Sequence, residues 1–156
     1  MTRPTADDDA RILPLRAAAA PSLASLLEAV VASAARPGVR TACEVDPWLR
    51  CDADPATVRG LLEPLVRDAV AAALESDPAS DAPMLREVLV TAVDTGDALE
   101  IEVADSGPAR CLEPPAADVR RLLSAVFGAV SAAACAEGGT AVTLRLPHRR
   151  ARGLAA

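Results

Sequence analysis

Residues 52–75 read DADPATVRGLLEPLVRDAVAAALE and predict one long amphipathic helix. Asp54 is a good N-cap, and Pro55 takes the first helical position, where a missing N–H costs nothing. Val58, Leu61, Leu62, Leu65, Val66, Ala69, Val70, Ala73 and Leu74 recur at helical spacing and predict a broad buried face. Arg59, Glu63 and Arg67 fall on one flank. Gly60, Pro64, Asp68 and Ala71 fall on the other, which is stripped of bulk and carries a single carboxylate. On pattern alone that second flank is an ordinary small-residue surface in an alanine-rich chain.

On the N-terminal side, Pro21 and Ser22 open a helix with apolar positions at Leu23, Leu26, Leu27, Val30, Val31 and Ala34, stopped by Arg36-Pro37-Gly38. Val39 to Asp46 (VRTACEVD) reads as a strand closed by Pro47, with Trp48 in the loop beyond. Arg11 to Arg16 (RILPLR) reads as a short edge strand, because Pro14 bars it from a sheet centre. Residues 1–10 are polar and acidic and read as a disordered lead.

On the C-terminal side, residues 76–83 are a turn-rich connection. A hairpin follows, Glu87 to Val93 and Ala98 to Ala104 about a turn at Asp94-Thr95-Gly96-Asp97, with Leu99, Ile101 and Val103 alternating with Glu100 and Glu102. After Asp105-Ser106-Gly107-Pro108 and a Pro-rich link, a helix is expected from about Asp118 to Ala136, ending at Gly138-Gly139. Thr140 to Leu146 is the last strand. The order predicts an α+β chain: a two-layer α/β sandwich, its mixed, mostly antiparallel sheet carrying about three helices on one face. It predicts one domain over residues 11–148 and a polar tail over 149–156.

The chain has 156 residues, 51% of them apolar and only 1% aromatic, so the core must be aliphatic. A net charge of −6 argues against nucleic acid as a partner. All 16 basic residues are arginine, which rules out Schiff-base and P-loop lysine chemistry. Cys43, Cys51, Cys111 and Cys135 have no C-x-x-C spacing, so reduced thiols in a cytoplasmic protein are the expectation. No apolar run approaches the ~20 residues of a membrane span. His148, the single histidine, lies before an arginine-rich tail with no partner in view.

Three positions can carry chemistry. Asp105 ends a buried strand beside a glycine, which sets a carboxylate at the sheet's rim, where it can accept from an exocyclic amine. The same four residues equally make an ordinary Asx turn. Gly139 and Thr140 turn the chain tightly and start a strand with a hydroxyl, or else simply end a helix. Asp68 can hold a hard cation such as Mg²⁺ through one oxygen, or be an exposed helix carboxylate.

Together the segments resemble the ATP-binding catalytic domain of histidine kinases, in the wider family of gyrase B, Hsp90 and MutL. PLVRDAVAAA resembles its N-box, VLVTAVDTGDALEIEVADSGPA the hairpin entering its D-x-G-x-G box, and GGTAVTLRLP its closing strand. The resemblance implies that Asp105 bonds the adenine amino group, that Gly107 is the first box glycine, and that Thr140, after Gly139, helps hold adenine. It places Asp68 where the family has a metal-binding asparagine, and implies ATP with Mg²⁺ as cofactor. The departures are Pro64 and Ala71 in the N-box region, Ala109 at the second box glycine, and a short link with no G-x-G-x-G loop. A phosphoacceptor hairpin ahead of the domain is not expected either.

The implied function is a stand-alone domain with a degenerate phosphate end and weak or lost nucleotide binding. It would act through a signalling partner such as a response regulator, a histidine phosphotransfer protein or a sigma-factor regulator. Two alternatives stay open: a small cytosolic kinase of the anti-sigma-factor type acting in trans, and a purely structural or dimerisation module, with homodimerisation undecided.

Overall fold

The computed structural model describes residues 22–75, 86–111, 116–136 and 138–148. Helix α1, Leu23–Ala34, starts where Ser22 caps it: the Ser25 N–H donates to Ser22 Oγ at 3.1 Å. Its buried residues are the six apolar positions of the sequence pattern. Helix α2, Pro55–Leu74, starts in the same way, with the Thr57 N–H donating to Asp54 Oδ2 at 3.0 Å. It runs unbroken through Pro64. The expected buried face is present except at its edges: Leu65 is half-buried, Leu74 is exposed, and Ala72 is fully buried instead.

The strands are β1 (Arg40–Val45), β2 (Glu87–Asp94), β3 (Ala98–Asp105), β4 (Ala129–Ala134) and β5 (Thr140–Pro147). They form one sheet in the order β1-β2-β3-β5-β4, with β1 parallel to β2 and every other pair antiparallel. Alternate residues of β2 and β3 (Val88, Val90, Leu99, Ile101, Val103) turn inward against the helices and are fully buried. With Leu27, Leu61, Leu62 and Leu144 they make an aliphatic core, in which each fully buried leucine contributes about 1.5–3 kcal/mol. This is the expected α+β two-layer sandwich.

One expected element is wrong. Residues 118–136, expected as a single helix, are two elements: helix α3, Ala117–Val126, and strand β4. The helix closes at Phe127, which adopts a left-handed φ of 54°. The Gly128 N–H donates to the Leu123 carbonyl at 2.8 Å and the Phe127 N–H to the Ser124 carbonyl at 3.2 Å. That is a Schellman closure, with phenylalanine where glycine is usual. The alanines beyond it favour helix intrinsically. The outer edge of β5 offers them a full ladder instead, from Ala129 opposite Arg145 to Ala134 opposite Thr140.

The expected strand at 11–16, the connection at 76–83, most of the Pro-rich link and the tail at 149–156 lie outside the described residues. Among the described residues, no helix is long and apolar enough to cross a membrane.

Candidate functional site

The register of β3 against β5 places Asp105 directly opposite Thr140. Both face the helices, and they are the only polar or charged residues that are buried among those described, at 5% and 3% exposure. Burying an ionisable group is costly unless it finds partners, so the surroundings of Asp105 matter. Its Oδ1 accepts from the Gly107 N–H at 2.9 Å, which makes the Asx turn. Its Oδ2 accepts from Arg110 Nη2 at 3.1 Å, a charge-assisted bond. The Arg110 N–H donates to Thr140 Oγ1 at 3.0 Å, so the link after β3 is tied to the start of β5. Ser106 fixes the other side of the loop, accepting on its Oγ from the Glu87 N–H at 2.8 Å.

Two glycines make this arrangement sterically possible. A Cβ on Gly107 would overlap the backbone carbonyl of Ala72 in α2, which explains the unexpected burial of Ala72. Gly139, at a φ of 92°, stands against the backbone of Asp105 itself. Both glycines stand close against Asp105 and hold it in place.

Asp68, Asp105 and Thr140 do line one cavity, of about 710 Å³. Leu61, Pro64, Leu65 and Asp68 contribute from successive turns of α2, Ala116, Val119 and Leu123 from the α3 side, and Val130, Val142 and Leu144 from the sheet. The two carboxylates therefore converge on a shared, largely aliphatic slot. Its charged wall residues, among those described, are Asp68, Asp105 and Arg110.

Thr140, having accepted from Arg110, still has its own O–H to donate. An aliphatic slot with a carboxylate and a hydroxyl at one end suits a flat heterocycle bearing an amine. Provision for a metal is poorer. Among the described residues no group of three His, Cys, Asp or Glu side chains could hold a metal ion, so Asp68 would need phosphate and water to complete a Mg²⁺ shell.

Arg110 was not legible in the sequence as a site residue. The one signal was a basic residue in a link short enough to lie over the ends of β3 and β5. Val130 was missed along with β4.

His148 also differs from expectation, because it does have partners. Its Nε2 lies 3.0 Å from Asp94 Oδ1 and its Nδ1 3.7 Å from Asp52 Oδ2. Cys51 shares a smaller cavity of about 200 Å³ with it. Burial pushes the Cys51 thiol up, against the direction a nucleophile needs.

The fold is that of the ATP-binding catalytic domains of histidine kinases. The ATP-binding domain of PrrB from Mycobacterium tuberculosis matches with a TM-score of 0.60 and 20% identity, over 81% of this chain and 94% of that one. The catalytic domain of the histidine kinase ThkA, in nucleotide-free form, matches with a TM-score of 0.59 and 16% identity, over 81% and 94%. Full-length ShkA in complex with AMPPNP matches with a TM-score of 0.59 and 23% identity, over 81% of this chain and 30% of that one. Neither a protein-family model nor a curated protein matches the sequence.

Proposed function

We propose that this chain is a histidine-kinase-like domain that binds adenine nucleotide weakly, does not turn it over, and works by contacting a signalling protein. The base would lie in the aliphatic slot with its amino group toward Asp105 and Thr140, while Asp68 faces the phosphates and any Mg²⁺. The observation that carries this reading is the pairing of the two buried polar residues at one end of a cavity of about 710 Å³. The AMPPNP complex of ShkA, a neighbour in fold, supports the choice of nucleotide.

Weak binding follows from the other end of the slot. A glycine-rich loop before a helix would offer backbone N–H groups to phosphates. Here residues 111–117 read CLEPPAA, and α3 carries Asp118 in its first turn. Pro64 fills an N-box position with a ring that offers no polar atom. Four free thiols fit a reducing, cytoplasmic setting. A response regulator, a phosphotransfer protein or a sigma-factor regulator is the class of partner this fold suggests.

Calorimetric titration with ATP and ADP, with and without Mg²⁺, tests the reading. Binding weaker than micromolar, abolished in Asp105→Asn and without phosphate release, is expected. Tight Mg²⁺-dependent binding with turnover would instead make the chain an active kinase in trans. Silence with every nucleotide would leave only an interaction module.

A further inference from the structure

Arg110 is the one cation on the cavity wall among the described residues, set against the carboxylates of Asp68 and Asp105. Its Nη2 lies 3.1 Å from Asp105 Oδ2 and 3.4 Å from the backbone carbonyl oxygen of Asp68. One nitrogen thus bridges the Asp105 carboxylate and the backbone of α2 at Asp68. The backbone of Arg110 is pinned to Thr140, but its side chain is 35% exposed and has solvent to move into. Its Nε is buried with no acceptor among the described residues, a deficit that any outward movement relieves.

We propose that Arg110 determines which adenine compounds the cavity accepts, by changing partners. Its guanidinium leaves Asp105 when an exocyclic amine arrives, and pairs with the ligand's phosphate instead. This rests on the nucleotide reading of the cavity. An unphosphorylated nucleoside must break the Asp105–Arg110 pair and gives the guanidinium nothing in return. A phosphorylated one restores a charge-assisted, bidentate contact. Arg110 then supplies the positive charge that a glycine-rich loop supplies elsewhere, and the slot selects phosphate-bearing ligands.

The test titrates the full chain, Arg110→Ala and Arg110→Gln with adenosine and with ADP, without metal. Arg110→Ala is expected to bind adenosine about ten- to a hundred-fold more tightly than the natural chain, and to lose a similar factor in its preference for ADP. Arg110→Gln loses the charge and most of the reach to Asp105, so its adenosine affinity rises part of the way toward that of the alanine variant while the ADP preference falls. That variant carries the comparison if the alanine protein does not fold. Equal adenosine affinity in all three proteins with an unchanged ADP preference overturns the role of Arg110 and leaves the nucleotide reading intact. No binding of either compound by any of the three overturns both.

Discussion

Gly139 stands with its Cα so close to Asp105 that a Cβ there would overlap the backbone carbonyl oxygen of the aspartate. Backbone cannot rotate away as a side chain can, and the φ of 92° is itself unfavourable for any other residue. Gly96, in the β2–β3 turn, has nearly the same φ, 88°, but nothing within 4 Å of its position. Gly96→Ala is expected to cost about 1 kcal/mol, from the dihedral angle alone. Gly139→Ala adds overpacking and is expected to cost about 3–4 kcal/mol. Urea denaturation midpoints measure both. Equal losses would mean that the contact with Asp105 does not hold the rim of the cavity.

Pro64 has the opposite sign. Its ring removes the N–H that would meet the Gly60 carbonyl, a defect of about 3 kcal/mol in a helix interior. Helix α2 tolerates it because Leu61, Leu62 and Val66, on either side, are almost completely buried. Pro64→Ala is therefore expected to stabilise the protein by about 1–3 kcal/mol, since some ring packing in the cavity wall is lost. An unchanged or lower urea midpoint would show that the ring contributes more by packing than it costs in hydrogen bonding.

Most of the fold was legible because local signals and burial agree. The six buried positions of α1 are those its spacing predicts, and the alternation of Leu99, Ile101 and Val103 fixes which face of β3 turns inward. Strand β4 was illegible for a physical reason. AVSAAA carries the composition of a helix, and only the edge of β5, brought near by the rest of the fold, makes it a strand. A left-handed phenylalanine gives no warning of a helix end, whereas a glycine at that position would.

Phe127 offers a direct check on that helix end. A non-glycine residue in the left-handed region costs roughly 1–2 kcal/mol, and the ring is 68% exposed, so little burial compensates. Phe127→Gly relieves the strain and loses a smaller amount to backbone entropy. The expected net gain is about 0.5–1 kcal/mol, read as a rise in Tm. A fall in Tm would assign the ring a packing role larger than its exposure indicates.

Asp94 gives the fold an acid-side dependence. The bond with His148, and then the one from the Gly96 N–H at 2.7 Å, hold its pKa below the ordinary carboxylate value. A group depressed in the folded state contributes stability that is present above the unfolded pKa, about 3.9, and is lost as pH falls through the lower folded value. The stability difference between the natural chain and Asp94→Asn should shrink as the pH falls from about 5 toward 2. Urea melts across that range decide it. A difference that grows on acidification would contradict the assignment.

At the candidate site, the sequence could show which residues end strands but not which side chains meet. Asp105 and Thr140 were legible because each closes or opens a strand beside a glycine. Asp68 was legible only as one carboxylate on a flank stripped of bulk, and the resemblance gave that carboxylate its implied role. Arg110 depends on the path of a link with no periodic pattern, so its ion pair with Asp105 emerges only from the three-dimensional course of the chain.

Cys111 turns that same link into a reporter. It is exposed and lines the cavity beside Arg110, whereas Cys43 and Cys51 are partly buried. Burial pushes both of those thiols up, helped at Cys43 by the nearby negative charge of Glu28, so their reactive thiolate is scarce at neutral pH. Iodoacetamide at pH 7 is expected to modify Cys111 first, with Cys43 and Cys51 following slowly and gaining rate as the pH is raised. If the cavity takes an adenine nucleotide, saturating ADP should slow modification of Cys111 and leave the rates at Cys43 and Cys51 unchanged, as read by peptide mass spectrometry. A nucleotide that binds by calorimetry yet leaves the Cys111 rate untouched would count against the slot lined by Cys111 as its site.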